Sequence, residues 1–153
     1  MLSWALMRSP AALLSAALGI LVGLGAFTFV YARGGSYLTN DPAACANCHV
    51  MREQYEGWMK ASHRKAAVCN DCHAPHDPVG KYTTKALNGF MHSWAFTTGR
   101  FLDRIQITSR NRGVTDGACL HCHSQIVEGL VETRNHTGGI SCLGCHRDVG
   151  HKH

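Results

Sequence analysis

Four short clusters carry the reactive chemistry of this chain: Cys45-Ala46-Asn47-Cys48-His49, Cys69-Asn70-Asp71-Cys72-His73, Cys119-Leu120-His121-Cys122-His123 and Cys142-Leu143-Gly144-Cys145-His146. Each is a C-x-x-C-H motif, in which two thiols form thioether bonds to one porphyrin and the histidine that follows reaches the iron from one side. The motifs use all 8 cysteines, so no thiol is left for a disulfide framework. Two four-cysteine zinc sites would also use C-x-x-C, but zinc does not need a histidine after every pair, and here every pair has one. The pattern predicts four covalently bound c-type haems and a role in electron transfer.

Low-spin haems take two axial ligands each, and His49, His73, His123 and His146 are the motif candidates for one side. Further candidates are His63, His76, His92, His121, His136, His151, His153 and Met51. The first cysteines of the motifs are 24, 50 and 23 residues apart in turn, which reads as two dihaem units joined by a longer connector. Glu56-Gly57-Trp58 precedes His63 in the first unit, and Glu128-Gly129-Leu130 precedes His136 in the second. Both histidines lie six residues before the next motif, so a shared role as distal ligand follows from the repeat. His121 sits inside its own attachment loop, His151 and His153 near the C-terminus, and His76 between Pro75 and Pro78; all four read as solvated. Met51 is either packing or a special ligand of the first haem.

These motifs must be placed by few elements. From Ala11 to Ala32 there is no charged residue, and 22 residues of helix span about 33 Å, enough to cross a bilayer. The stretch exceeds the apolar segment of a cleaved signal peptide, so it reads as an uncleaved anchor. Arg8 and Arg33 flank it evenly, and the covalent haem motifs are what place the following domain outside the cytoplasm. Gly19 and Gly23 form a small-xxx-small pair compatible with self-association of the anchor. The formal charge of +5 would suit nucleic acid, but haem propionates offset it, so no nucleic-acid partner is expected. With so many porphyrins on so short a chain, the fold class is mainly α with little regular secondary structure: one transmembrane helix and a small tetrahaem domain of two dihaem repeats.

The connector, residues 78–110, has a helical pattern with Pro78 in its first turn. Lys81, Lys85, Asn88 and His92 fall on one polar stripe, while Tyr82, Phe90, Trp94, Phe96 and Phe101 supply aromatic surface suited to a membrane boundary. The stripe suits docking of a lipid-soluble quinol, whose oxidation releases protons as well as electrons. Lys81 would assist the developing quinolate, and His92 would act as base or as an iron ligand. A solvated lysine face fits the same spacing.

The ordered set of SYLTNDPAACANCHVM, KYTTKALNGFMHSWAFTTG and the RNH before the fourth motif resembles the NapC/NirT family of membrane tetrahaem quinol dehydrogenases. The resemblance runs over nearly the whole chain. It implies menaquinol oxidation at the outer face of the inner membrane and electron delivery to a pentahaem subunit that reduces nitrite to ammonium. It further implies that Met51 rather than His49 ligates the first haem, which is open on its other side, and that Lys81 is the quinol-site lysine. In the family, one haem can take a lysine from the catalytic partner. Some relatives have an aspartate where this chain has Asn88, and an amide cannot accept the quinol proton as a carboxylate does. A donor to another periplasmic reductase, such as nitrate reductase, and a structural haem-bearing anchor are the competing readings. On this reading residues 1–33 form the cytoplasmic end and anchor, and residues 34–153 the periplasmic domain. Within that domain lie dihaem unit 45–73, connector 74–118 and dihaem unit 119–146.

Overall fold

A computed structural model describes residues 9–134 and 141–151. All regular structure among the described residues is helical: α1 (Pro10–Tyr31), α2 (Pro42–Cys45), α3 (Arg52–Met59), α4 (Cys69–His73), α5 (Pro78–Thr98), α6 (Ser109–Arg134) and α7 (Cys142–Cys145), with short 3-10 turns between. The chain divides into two units, one ending at Ser36 and one starting at Tyr37.

The first unit is dominated by α1. Ser9 caps it, its Oγ accepting the Ala12 N–H at 3.1 Å, and Pro10 opens the first turn, where a missing N–H costs nothing. Its most apolar stretch of 18 residues has a mean hydropathy of 2.2, and none of the 22 residues of the helix is buried in the fold, so it is long and apolar enough to cross a membrane.

In the second unit, α4 packs on α6, α2 on both α3 and α4, and α7 on α6. Each of these pairs therefore includes at least one element that carries a cysteine motif. Side-chain core is almost absent: Ala74 and Ala118 are the buried apolar residues among those described. A unit of this size normally hides much more apolar surface, so something other than side chains must supply the interior. Porphyrin rings have the size and polarity to do so.

α5 is set by its ends. Asp77 Oδ1 accepts the Gly80 N–H at 2.6 Å, and Pro78 follows that cap. Gly99 stops the helix in the left-handed region at φ 66°, and the Arg100 N–H donates back to Ala95 O at 3.0 Å. The helix ends there, before residue 110, because only glycine takes that conformation without steric cost.

Candidate functional site

Three of the four cysteine motifs are built on or against a short helical segment. Cys45 closes α2, Cys69 to His73 are α4 itself, and Cys142 to Cys145 are α7. The third motif lies within α6, where His123 leaves helical geometry (φ −113°, ψ 15°) and kinks the helix at the residue expected to face iron. Even the variable positions have duties. Asp71 Oδ2 accepts the Val68 N–H at 2.9 Å and so caps α4, while Asn70 Nδ2 donates to Thr39 O at 3.0 Å and to Asn40 Oδ1 at 3.1 Å. Leu143 N–H reaches Asp116 Oδ1 at 3.3 Å, which ties α7 to α6.

The thiols meet across motifs. Cys45 hydrogen-bonds Cys69, which lowers the Cys45 pKa to about 7 and raises that of Cys69. Cys119 and Cys142 make the corresponding contact, although burial is the main reason Cys119 is pushed up to about 11. Between these pairs, Cys72 lies close enough to Cys122 to be raised by it, after burial and Asp71. Neighbouring motifs are thus adjacent in chain order. Among the described residues, no three of His, Cys, Asp or Glu converge as a metal cluster.

The histidines do converge in pairs. Two imidazoles on opposite faces of one iron, each with a metal–nitrogen bond of about 2 Å, have ring centres about 6 Å apart. His63 and His123 are 6.1 Å apart with their planes at 77°, and His73 and His151 are 6.1 Å apart and nearly parallel at 12°. Both separations fit a haem iron between the rings. His63 Nδ1 lies 3.2 Å from Ser62 Oγ, which leaves Nε2 as its metal-binding nitrogen. His73 keeps one face accessible yet lies deep among protein atoms; that burial, then His151, lowers its pKa to about 4 and favours the neutral, ligating form. His76 and His121 also pair, but at 3.9 Å they stack too closely to admit an iron.

The solvated reading of His151 is therefore replaced by a half-buried ring facing His73. His63 meets the histidine of the third motif, which the spacing of the motifs alone does not signal. His136 and His153 lie outside the described residues. His146 directly follows α7, and His49 and Met51 share one 3-10 turn, in which Met51 N–H donates to Cys48 O at 2.9 Å.

The polar stripe of α5 faces the start of the unit and the start of α6. Lys85 is 8 % exposed, and its ammonium donates to Thr39 O at 2.7 Å and Asn40 Oδ1 at 3.4 Å. Burial, then Lys81, lowers its pKa, with Cys45 opposing. Asn88 Oδ1 accepts from Arg110 Nη2 at 2.6 Å and from Asn111 Nδ2 at 3.2 Å. His92 Nδ1 is 3.5 Å from the Tyr37 hydroxyl, and burial of the imidazole lowers its pKa although its outer edge is exposed. Tyr37 lies against Gly89 and beside the first motif; burial, then Cys48 and Cys45, raises its pKa, so its phenol stays protonated at neutral pH. Lys81 is half-buried one turn before Lys85. Sequence reasoning missed Tyr37, whose signal was only its place ahead of the first motif.

The sequence profile of the NapC/NirT cytochrome c family, N-terminal region, matches residues 7–153. The cytochrome c-type protein NrfH of Wolinella succinogenes is 37 % identical over 142 residues, 85 % of this chain and 80 % of the relative. The tetraheme c-type cytochrome CymA of Shewanella oneidensis is 28 % identical over 98 % of this chain and 97 % of its own. Among solved structures, the cytochrome c nitrite reductase NrfHA complex bound to the HQNO inhibitor aligns with a TM-score of 0.61 at 29 % identity, covering 90 % of this chain and 88 % of the other. With its motifs on packed helices and its histidines spaced for iron, the chain belongs to the NapC/NirT cytochrome c family and carries covalent c-type haem.

Proposed function

We propose that this chain is the menaquinol-oxidising subunit of a nitrite reductase complex, which passes electrons through four c-type haems to a pentahaem catalytic subunit that reduces nitrite to ammonium. It does not itself reduce nitrite. The observation that carries this reading is the inward polar stripe of α5, which sets Lys85 and His92 against Thr39 and Tyr37, beside the first haem motif. The likeness to NrfH and to the inhibitor-bound NrfHA complex supports the partner, and the likeness to a tetraheme relative supports the haem count.

Menaquinol gives up two electrons and two protons to become menaquinone. Bound haem would supply an acceptor for one electron at a time, and the protons need a base. Lys81 stabilises the developing quinolate with its charge. Neutral His92 takes the two protons one after the other, releasing each to bulk water from its exposed edge, and the Tyr37 hydroxyl beside its Nδ1 orients the ring. Asn88 is a positioning residue, because its amide oxygen is already engaged by Arg110 and Asn111.

The ring separations favour His73 with His151 and His63 with His123 as ligand pairs. By the family likeness alone, Met51 in place of His49 would hold the first haem, and His146, with His136 or a lysine of the partner, would hold the fourth. The Cys45–Cys69 and Cys119–Cys142 contacts, with Cys72 near Cys122, favour electron flow in the order of the motifs. The domain would lie on the periplasmic side of the inner membrane, with α1 as a single-pass anchor.

The test is Lys81→Ala, assayed by haem reduction with a menaquinol analogue. A loss of at least about tenfold is expected with haem content unchanged. Reduction at the normal rate would remove Lys81 from the mechanism.

A further inference from the structure

The two sides of α5 are reversed relative to an ordinary surface helix. A soluble protein turns the apolar stripe of such a helix inward and the charged stripe to water. Here the charged residues of the helix, Lys81 and Lys85, lie on the inward stripe, and Lys85 is buried. The opposite side carries Val79, Leu87, Phe90 and Trp94, between 41 % and 78 % exposed and without a formal charge among them.

The surface does not end with the helix. Gly99 turns the chain back, and Phe101 packs on Phe96 with ring centres 4.7 Å apart. Leu102 and Ile105 follow, 64 % and 47 % exposed, with Arg100 and Arg104 beside them. Long apolar stems ending in guanidinium, next to aromatic rings, suit the boundary between acyl chains and anionic headgroups.

The chain itself names the occupant. Between the last residue of α1 and Tyr37 there is no more than about 22 Å of backbone, even fully extended. With α1 in a bilayer, that length keeps Tyr37 within about 22 Å of the end of the anchor, so an uncharged apolar face on the second unit has lipid within reach.

We propose that the outer face of α5 and the 101–105 segment dock into the outer leaflet of the bilayer as a second, interfacial attachment in addition to α1. The bilayer takes the place of a protein partner for this helix, and its polar stripe points from lipid into the haem domain. Depth is read without turnover, so this reading stands or falls separately from the quinol chemistry.

The test uses the full haem-loaded chain in vesicles containing anionic phospholipid, with one nitroxide at Phe90→Cys or Leu102→Cys and a reference label at Glu53→Cys on α3. The native cysteines are held in thioethers, so each variant takes a single label and the unsubstituted chain takes none. Labels at 90 and 102 should collide with oxygen several-fold more than with a water-soluble nickel chelate, and the label at 53 should show the reverse. Preference for nickel at both positions would overturn the proposal. So would protection from both reagents, the signature of a face covered by a second copy or another protein.

Discussion

The first and second motifs are neighbours, joined by the Cys45–Cys69 contact, yet they are equipped differently. Around the second, every group is committed: Asp71 caps the helix, Asn70 holds the Thr39–Asn40 turn, and His73 faces His151 at iron-spanning distance. Around the first, the nearby side chains are Tyr37, Lys85 and His92, groups suited to hydrogen bonding and proton transfer rather than to a second axial bond. A closed site with two strong ligands carries electrons with little rearrangement. One flanked by titratable groups can exchange protons with a substrate. On the proposed function, this contrast is a division of labour inside a single small unit.

His151→Ala should break that contrast most completely. Without the ring opposite His73, the second haem loses a strong-field ligand, and one low-spin signal should be replaced by a high-spin one in electron paramagnetic resonance. His121→Ala should leave the spectrum unchanged, since its partner His76 stacks at 3.9 Å. An unaltered low-spin count in His151→Ala would show that His73 takes its opposite ligand from elsewhere.

Lys85→Met probes what the two sites share. The Thr39–Asn40 turn accepts from Lys85 on one side and from Asn70, inside the second motif, on the other. Removing this buried, charged donor should cost about 2 kcal/mol, seen as a lower denaturation midpoint of the haem-loaded protein. Asn70→Ala removes a neutral donor and should cost about 1 kcal/mol. Equal effects would mean that the charge of Lys85 adds nothing to the clasp.

Much of this arrangement is legible in the chain itself. Covalent haem chemistry dictates the cysteine spacing, length and hydropathy mark α1, and Pro78 marks the start of α5 because each obeys a local rule. Periodicity also put Lys81, Lys85, Asn88 and His92 on one stripe. It could not say which way the stripe turns, since a solvated lysine face has the same period. The pairing of His73 with His151, and of His63 with His123, depends on how α4 and α6 pack, and contacts between distant segments leave no local pattern. Tyr37 was invisible for the same reason: its meaning comes from Gly89 and His92 on another element.

The smallest effect concerns the proton acceptor of the first site. Burial lowers the His92 pKa below 6.5, so the ring stays neutral at neutral pH and gains its proton only under more acidic conditions. If His92 is the base, quinol oxidation should be nearly level above pH 6.5 and fall below it, by up to about tenfold per unit once the ring is mostly protonated. His92→Asn should be slower at neutral pH and lack that acid limb, while Tyr37→Phe, which removes only a 3.5 Å contact, should shift the limb by a few tenths of a unit. An acid limb unchanged in His92→Asn would assign the proton to another group and leave His92 as a hydrogen-bonding neighbour of Tyr37. The second site would then differ from the first only in its ligands.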